Sequence, residues 1–279
     1  MLEALRNIGL AVALIASMAV GRSEPARAEE TVDLLLVLAA DISRSVDQAK
    51  FALQREGYAA ALTSPRIMAA IKSGPQGRIA VCFVEWSGVT AQAVIVDWAA
   101  IGTPAEAEAF SQRIRAAPRL FMERTAIGTA IDFSVQQLGK SPFSGARRVI
   151  DVSGDGTNNS GRSVTEARDA AIEQGITING LAILSEVPLA FNPQHTHPPG
   201  GLLKYYEDNV IGGPGAFALA AKGHEDFGQL VASKLVKEIA VAPPPAPRFE
   251  RIGFRRCSDD IVLPCGPDRL GALDFGQSD

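Results

Sequence analysis

Residues 31 to 45 read TVDLLLVLAADISRS. From Thr31 to Ala40 the chain is almost continuously apolar, the pattern of a strand covered on both faces, as strands of a parallel sheet are. The apolar run stops at Asp41, and Ser43 and Ser45 follow it at alternate positions. A chain turning from strand into helix gathers such alternate side chains on one side. Ser45 is placed to cap the next helix, because a serine oxygen satisfies an unpaired N–H of the first turn. That helix runs to Leu62, with Phe51, Leu53, Tyr58 and Leu62 among its apolar positions.

The same alternation continues along the chain. Residues 78–86 and 91–98 are two β-rich runs joined by a short Ser-Gly connection, which predicts a hairpin and hence one antiparallel strand. Residues 104–116 form a helix opened by Thr103 as cap and Pro104 at its first position. A helix over 127–138, a strand over 147–153, a helix over 163–174 and a strand over 176–184 follow. A final strand at 217–221 and a helix at 224–240 come after a long insertion, 185–215. The expected fold is α/β: a doubly wound, mostly parallel sheet with one antiparallel edge strand and helices on both faces. In such folds ligands sit beyond the C-terminal ends of the strands, where the strand order reverses.

Composition narrows the function. The 279 residues are 47% hydrophobic, 21% charged and 6% aromatic, a globular mixture. The formal net charge of −4 supplies no electrostatic lever on nucleic acid or anionic lipid. Residues 8–20, IGLAVALIASMAV, are too short for a confident spanning helix and fit the apolar core of an export signal. Ala26-Arg27-Ala28 supplies the small-x-small pattern for cleavage after Ala28; an uncleaved N-terminal anchor is the alternative. Residues 1–28 therefore read as a signal peptide, 29–241 as one domain, and 242–279 as a Pro-rich linker and tail. The expected location is periplasmic or secreted, with no membrane contact beyond the export signal. In an oxidising compartment Cys257 and Cys265 are close enough in sequence to staple the tail, whereas Cys82 reads as a small buried hydrophobe.

Three segments at strand ends carry oxygen ligands. They are Asp41, Ser43 and Ser45; Thr125 ahead of the helix at 127; and Asp155 in Ser153-Gly154-Asp155-Gly156. Two carboxylates and three hydroxyls, without nitrogen or sulfur, suit Mg²⁺ or Mn²⁺, and Ca²⁺ is also compatible. Taken singly, the same residues read equally as caps and turns that bind nothing. Gly154-Asp155-Gly156 is not a dinucleotide cradle, since the third glycine is missing and Asp155 would repel a pyrophosphate.

D-x-S-x-S after an apolar strand, a distant threonine before a helix, and S-G-D-G after another strand together resemble the von Willebrand factor A domain. In that family the three segments form a metal-ion-dependent adhesion site. The resemblance implies that Asp41, Ser43, Ser45, Thr125 and Asp155 hold the metal, with one position open to an Asp or Glu carboxylate of a protein partner. The phrases VIDVSGDG, RTAIG and VIGGPGAF are similar to a subgroup of exported bacterial domains of this type. Ser153-Gly154 stands where the family usually places a threonine, which implies a shifted supporting hydroxyl.

The remaining chemistry-bearing residues read more plainly. Asp151 falls inside a strand, so burial requires a partner, with Arg147 or Arg148 as candidates. His195 and His197 lie in a Pro-rich stretch that reads as a surface loop, and Tyr205 and Tyr206 as core packing. The insertion that holds them precedes the last strand and is expected to overhang the crevice. No hydrolase elbow, zinc-protease helix motif or Cys–His couple is present. The expected function is an exported, metal-dependent protein-binding module; the alternatives are a metal-assisted hydrolase of small phosphorylated or acylated substrates and a metal-free scaffold.

Overall fold

The structure, a computed structural model, describes residues 29–222 and 227–240. The expected export segment, the tail and the Cys257/Cys265 pair lie outside the described residues. The elements are β1 (Glu30–Val32), β2 (Leu35–Asp41), α1 (Gln48–Leu62), α2 (Pro65–Lys72), β3 (Ile79–Trp86), β4 (Gln92–Ile101), α3 (Pro104–Ala116), α4 (Ile127–Gly139), β5 (Phe143–Gly145) and β6 (Arg148–Gly154). They continue with α5 (Val164–Glu173), β7 (Thr177–Ile183), α6 (Pro193–Thr196), α7 (Leu202–Tyr205), a π-helical turn (Tyr206–Val210), β8 (Ala218–Ala221) and α8 (Phe227–Ala240).

The main sheet has the order β4-β3-β2-β6-β7-β8, parallel throughout except for edge strand β4, which runs antiparallel to β3. The doubly wound α/β expectation and its antiparallel edge are both met. All seven residues of β2 are buried, and its side chains alternate between two cores. Leu36 and Leu38 pack with Tyr58, Phe83, Phe110 and Phe227 beneath α1, α2, α3 and α8. Val37 and Ala39 pack with Ile127, Ile131, Ile150 and Val152 beneath α4 and α5. Cys82, on β3, is free and buried.

Local chemistry moved several boundaries. The run from Thr31 to Ala40 is not one strand. Asp33 interrupts it by accepting the Gln76 N–H at 2.9 Å and donating its own N–H to Arg78 O, so that β1 pairs with β5 instead. Ser45 does not cap α1: Asp47 does, accepting Lys50 N–H at 2.8 Å. An additional helix, α2, is opened by Ser64 as cap and Pro65 at its first position. Helix α3 begins as expected, with a reciprocal Thr103/Glu106 capping box.

Asp151 is fully buried, but neither Arg147 nor Arg148 is its partner. Strand alternation turns it toward α8, where Lys234 Nζ lies 2.5 Å from Asp151 Oδ1 and 2.5 Å from Glu238 Oε1. Asn179 on β7 also donates to Glu238 Oε1, at 2.9 Å. Arg147 instead donates to the Glu238 and Ile239 carbonyls at the end of α8. Burial would lower Lys234, but facing Asp151 and then Glu238 outweigh it and hold the ammonium above its usual range. Burial, then Asp151, hold Glu238 up at about 7.

Candidate functional site

β2 is flanked by β3 on one side and β6 on the other, so the chain departs in opposite directions from this pair and leaves a crevice at its C-terminal end. Asp41 closes β2 there, and Asp155 follows directly on β6. Asp41 Oδ1 accepts the Ser43 N–H at 2.6 Å, which folds the loop back and brings Ser43 Oγ to 3.1 Å from Ser45 Oγ. Ser45 Oγ donates to Asp155 Oδ1 at 2.5 Å. Asp41, Ser43, Ser45 and Asp155 thus form one linked cluster.

Thr125 is reached differently. Its hydroxyl lies 3.3 Å from His195 Nε2, and its backbone N–H donates to Asn159 Oδ1 at 3.0 Å. It shares with Ser45 a cavity of about 330 Å³, also lined by Arg44, Arg124, Phe191 and His195. Two arginines hold the loops that border this cavity. Buried Arg55 makes a bidentate pair with Glu85 at 2.7 and 2.8 Å and donates to the Ala117 and Pro118 carbonyls, fixing the start of the loop that leads to Thr125. Arg119 Nη2 donates to the carbonyls of Ile42, Ser43 and Val46, binding that loop to the Asp41 turn.

Two carboxyl groups meet at the crevice, and Lys50 Nζ pairs with one of them, 2.9 Å from Asp155 Oδ2. Asp41 and Asp155 are both fully buried. Burial, reinforced by the Asp155 carboxylate, pushes Asp41 up to about 8. Asp41 Oδ2 is buried without a hydrogen-bond partner. A carboxylate oxygen in that state is costly unless positive charge or a donor meets it. Among the described residues no three His, Cys, Asp or Glu side chains come together, so a cation here would rely on hydroxyl oxygens as well as carboxylates.

Gly154, the departure from the family pattern, has a spatial reason. A Cβ at that position would lie 2.7 Å from Tyr206 Oη and 2.9 Å from Asp41 Oδ2. Tyr206, the first residue of the π-helical turn in the insertion, is fully buried beside the cluster and fills that space. Tyr206 is core, as expected, and Tyr205 packs partly buried against the same core while its hydroxyl accepts the Asn158 N–H at 3.1 Å.

His195 corrects its sequence reading as a surface-loop residue. It is buried, its carbonyl accepts the Thr157 N–H at 2.9 Å, and its ring lies over Gly156. Burial keeps it below its ordinary value although Asp155 pulls the other way. His197 turns instead to Thr196 Oγ1, at 3.0 Å. The insertion does overhang the crevice, since Leu189, Phe191, Asn192 and His195 all line the cavity. A Cβ at Gly156 would overlap the His195 ring. Gly156→Ala is therefore expected to expel the ring and destabilise the protein by about 1–3 kcal/mol, read from urea unfolding. Unchanged stability would mean that the insertion is not seated on this glycine.

Lys50 and Arg119 are the residues that sequence reasoning missed here, and His195 is the one it placed in a surface loop. Only Lys50 carried a local signal, a basic residue in the first turn of a helix.

The doubly wound sheet with its antiparallel edge strand has the fold of von Willebrand factor A domains. The chain belongs to the family described as Protein of unknown function (DUF1194), whose model matches residues 31–243. Among solved structures it is similar to von Willebrand factor type A from Catenulispora acidiphila, at 12% identity over 75% of this chain and 43% of that one, TM-score 0.52. It is also similar to the pilus adhesin SpaC from Lactobacillus rhamnosus GG, at 13% identity over 76% and 31% of the two chains, TM-score 0.53. A third is proximal thread matrix protein 1 from the mussel byssus, at 15% identity over 76% and 49%, TM-score 0.50. The chain spans less than half the length of these solved chains, and the likeness is one of fold. No curated protein matches.

Proposed function

We propose that this domain is an exported, cation-dependent protein-binding module. Asp41, Ser43, Ser45, Thr125 and Asp155 would hold Mg²⁺ or Mn²⁺, which would present positive charge to an Asp or Glu side chain of a partner. The observation that carries this reading is the buried, partnerless Asp41 Oδ2 beside a second buried carboxyl group, Asp155. The cavity beside it favours an anionic ligand, since two arginines, Arg44 and Arg124, line it against one acidic residue, Glu123. Phe191 lines it too and is 81% exposed, so an apolar residue next to the acidic one would be accommodated. That two similar structures are named as a pilus adhesin and a thread matrix protein fits a role in adhesion.

Export rests on residues 1–28, and among the described residues no helix is long and apolar enough to cross a membrane. One observation favours the metal-free scaffold as a second reading: Lys50 already meets Asp155 with an ammonium group.

The test is selection of peptides from a random library on the immobilised full chain in Mg²⁺, with elution by EDTA. Enrichment of Asp or Glu among the eluted peptides, lost with Asp155→Ala, is the expected outcome. A bound set without acidic enrichment, or one insensitive to EDTA, would contradict the proposal.

A further inference from the structure

Lys50 lies in the first turn of α1, three residues after its cap. A cation is disfavoured there, because the unpaired N–H groups already make that end of a helix positive. Its position is explained by what it reaches 105 residues away. Lys50 Nζ donates to Asp155 Oδ2 at 2.9 Å, to Ser45 O at 3.2 Å and to Ser185 Oγ at 3.1 Å. An ammonium has three donors, and here each has an oxygen. With Ser45 on Oδ1 and Lys50 on Oδ2, both oxygens of Asp155 are taken.

We propose that Lys50 is a tethered cation that neutralises Asp155 in the metal-free protein and must leave it before a divalent ion can be held. The inference rests on the metal-binding reading above and adds what sets the affinity of that site. A place for the departing side chain exists. A cavity of about 490 Å³ beside Lys50 is lined by Asp47 and Glu186, two carboxylates able to receive the ammonium. The exchange also has a structural consequence. Ser185 opens the insertion, and release of Lys50 removes its hydrogen bond, so binding of the ion frees the start of the segment that overhangs the cavity. The ion and the shape of the ligand cavity are thereby linked through one side chain.

The experiment is a calorimetric titration of the full chain with Mn²⁺, comparing wild type, Lys50→Met, Lys50→Gln and Asp155→Ala. Lys50→Met and Lys50→Gln are expected to bind Mn²⁺ at least tenfold more tightly than wild type. In EDTA both are expected to melt below wild type, because Asp41 and Asp155 then face each other without a cation. Equal or weaker Mn²⁺ binding by both folded variants, with wild-type binding intact and Asp155→Ala inactive, would overturn the role of Lys50 and leave the metal site standing. Absence of binding in wild type and in both Lys50 variants would overturn the metal reading and the inference with it.

Discussion

Lys234→Met is expected to destabilise the protein by about 3–5 kcal/mol, the cost of removing one partner from a buried ion pair. The methionine fills most of the space, but Asp151 and Glu238 are left facing each other in the core with only Asn179 to donate. For a domain of this size the loss is a fall of about 6–20 °C in melting temperature. The same cluster sets a pH dependence. Glu238 is held at about 7 in the folded protein against 4.5 for a free side chain, so the folded state binds more protons across that interval. Stability therefore falls as pH rises from about 4.5 to 7. Urea unfolding at pH 5 and pH 8 measures it: wild type should be more stable at pH 5, Glu238→Gln should lose part of that difference, the rest being carried by Asp41, which is raised in the same sense, and Lys234→Met should enlarge it. A pH-independent Lys234→Met of wild-type stability would mean that the cluster is not desolvated as described.

The second large effect is at the crevice. A divalent ion at a hundred times its dissociation constant is expected to stabilise the protein by about 2.7 kcal/mol, because it binds the folded state alone. That corresponds to a rise of about 5–11 °C in melting temperature over the EDTA-treated protein. Asp155→Ala should abolish the rise while leaving circular dichroism unchanged, since Asp155 sits at a loop and its removal relieves the like charge beside Asp41. A rise of equal size in the variant would place the ion elsewhere.

Much of the architecture was legible because it rests on local patterns. The apolar run of β2 up to Asp41, the Thr103-Pro104 opening of α3 and the Ser-Gly link between β3 and β4 each state their structure over a few residues. The positions of Asp41 and Asp155 at adjacent strand ends follow from the same patterns plus the order of the strands. What escaped depends on distant partners. Asp151 is 83 residues from Lys234, and the periodicity of α8 does not say which strand residue its lysine will meet. Of the nearer arginines, strand alternation turns Arg148 to the other side, whereas Arg147 shares the face of Asp151 but donates to carbonyls at the end of α8. Ser45 looked like a cap because serine caps helices; two residues on, Asp47 took that role and left the Ser45 hydroxyl for Asp155. His195 read as loop because prolines surround it, and its burial depends on a glycine, Gly156, in another segment. Helix α2 was the avoidable omission, for Ser64-Pro65 is a start signal of the same kind as Thr103-Pro104.

The most direct test of the metal site is a count of bound Mn²⁺ by electron paramagnetic resonance, in the full chain and in Asp41→Asn and Asp155→Ala. One ion per chain in wild type, lost or strongly weakened in both variants, is the predicted result. No bound Mn²⁺ in wild type, or one ion retained by both variants, would contradict a cation site at Asp41, Ser43, Ser45, Thr125 and Asp155.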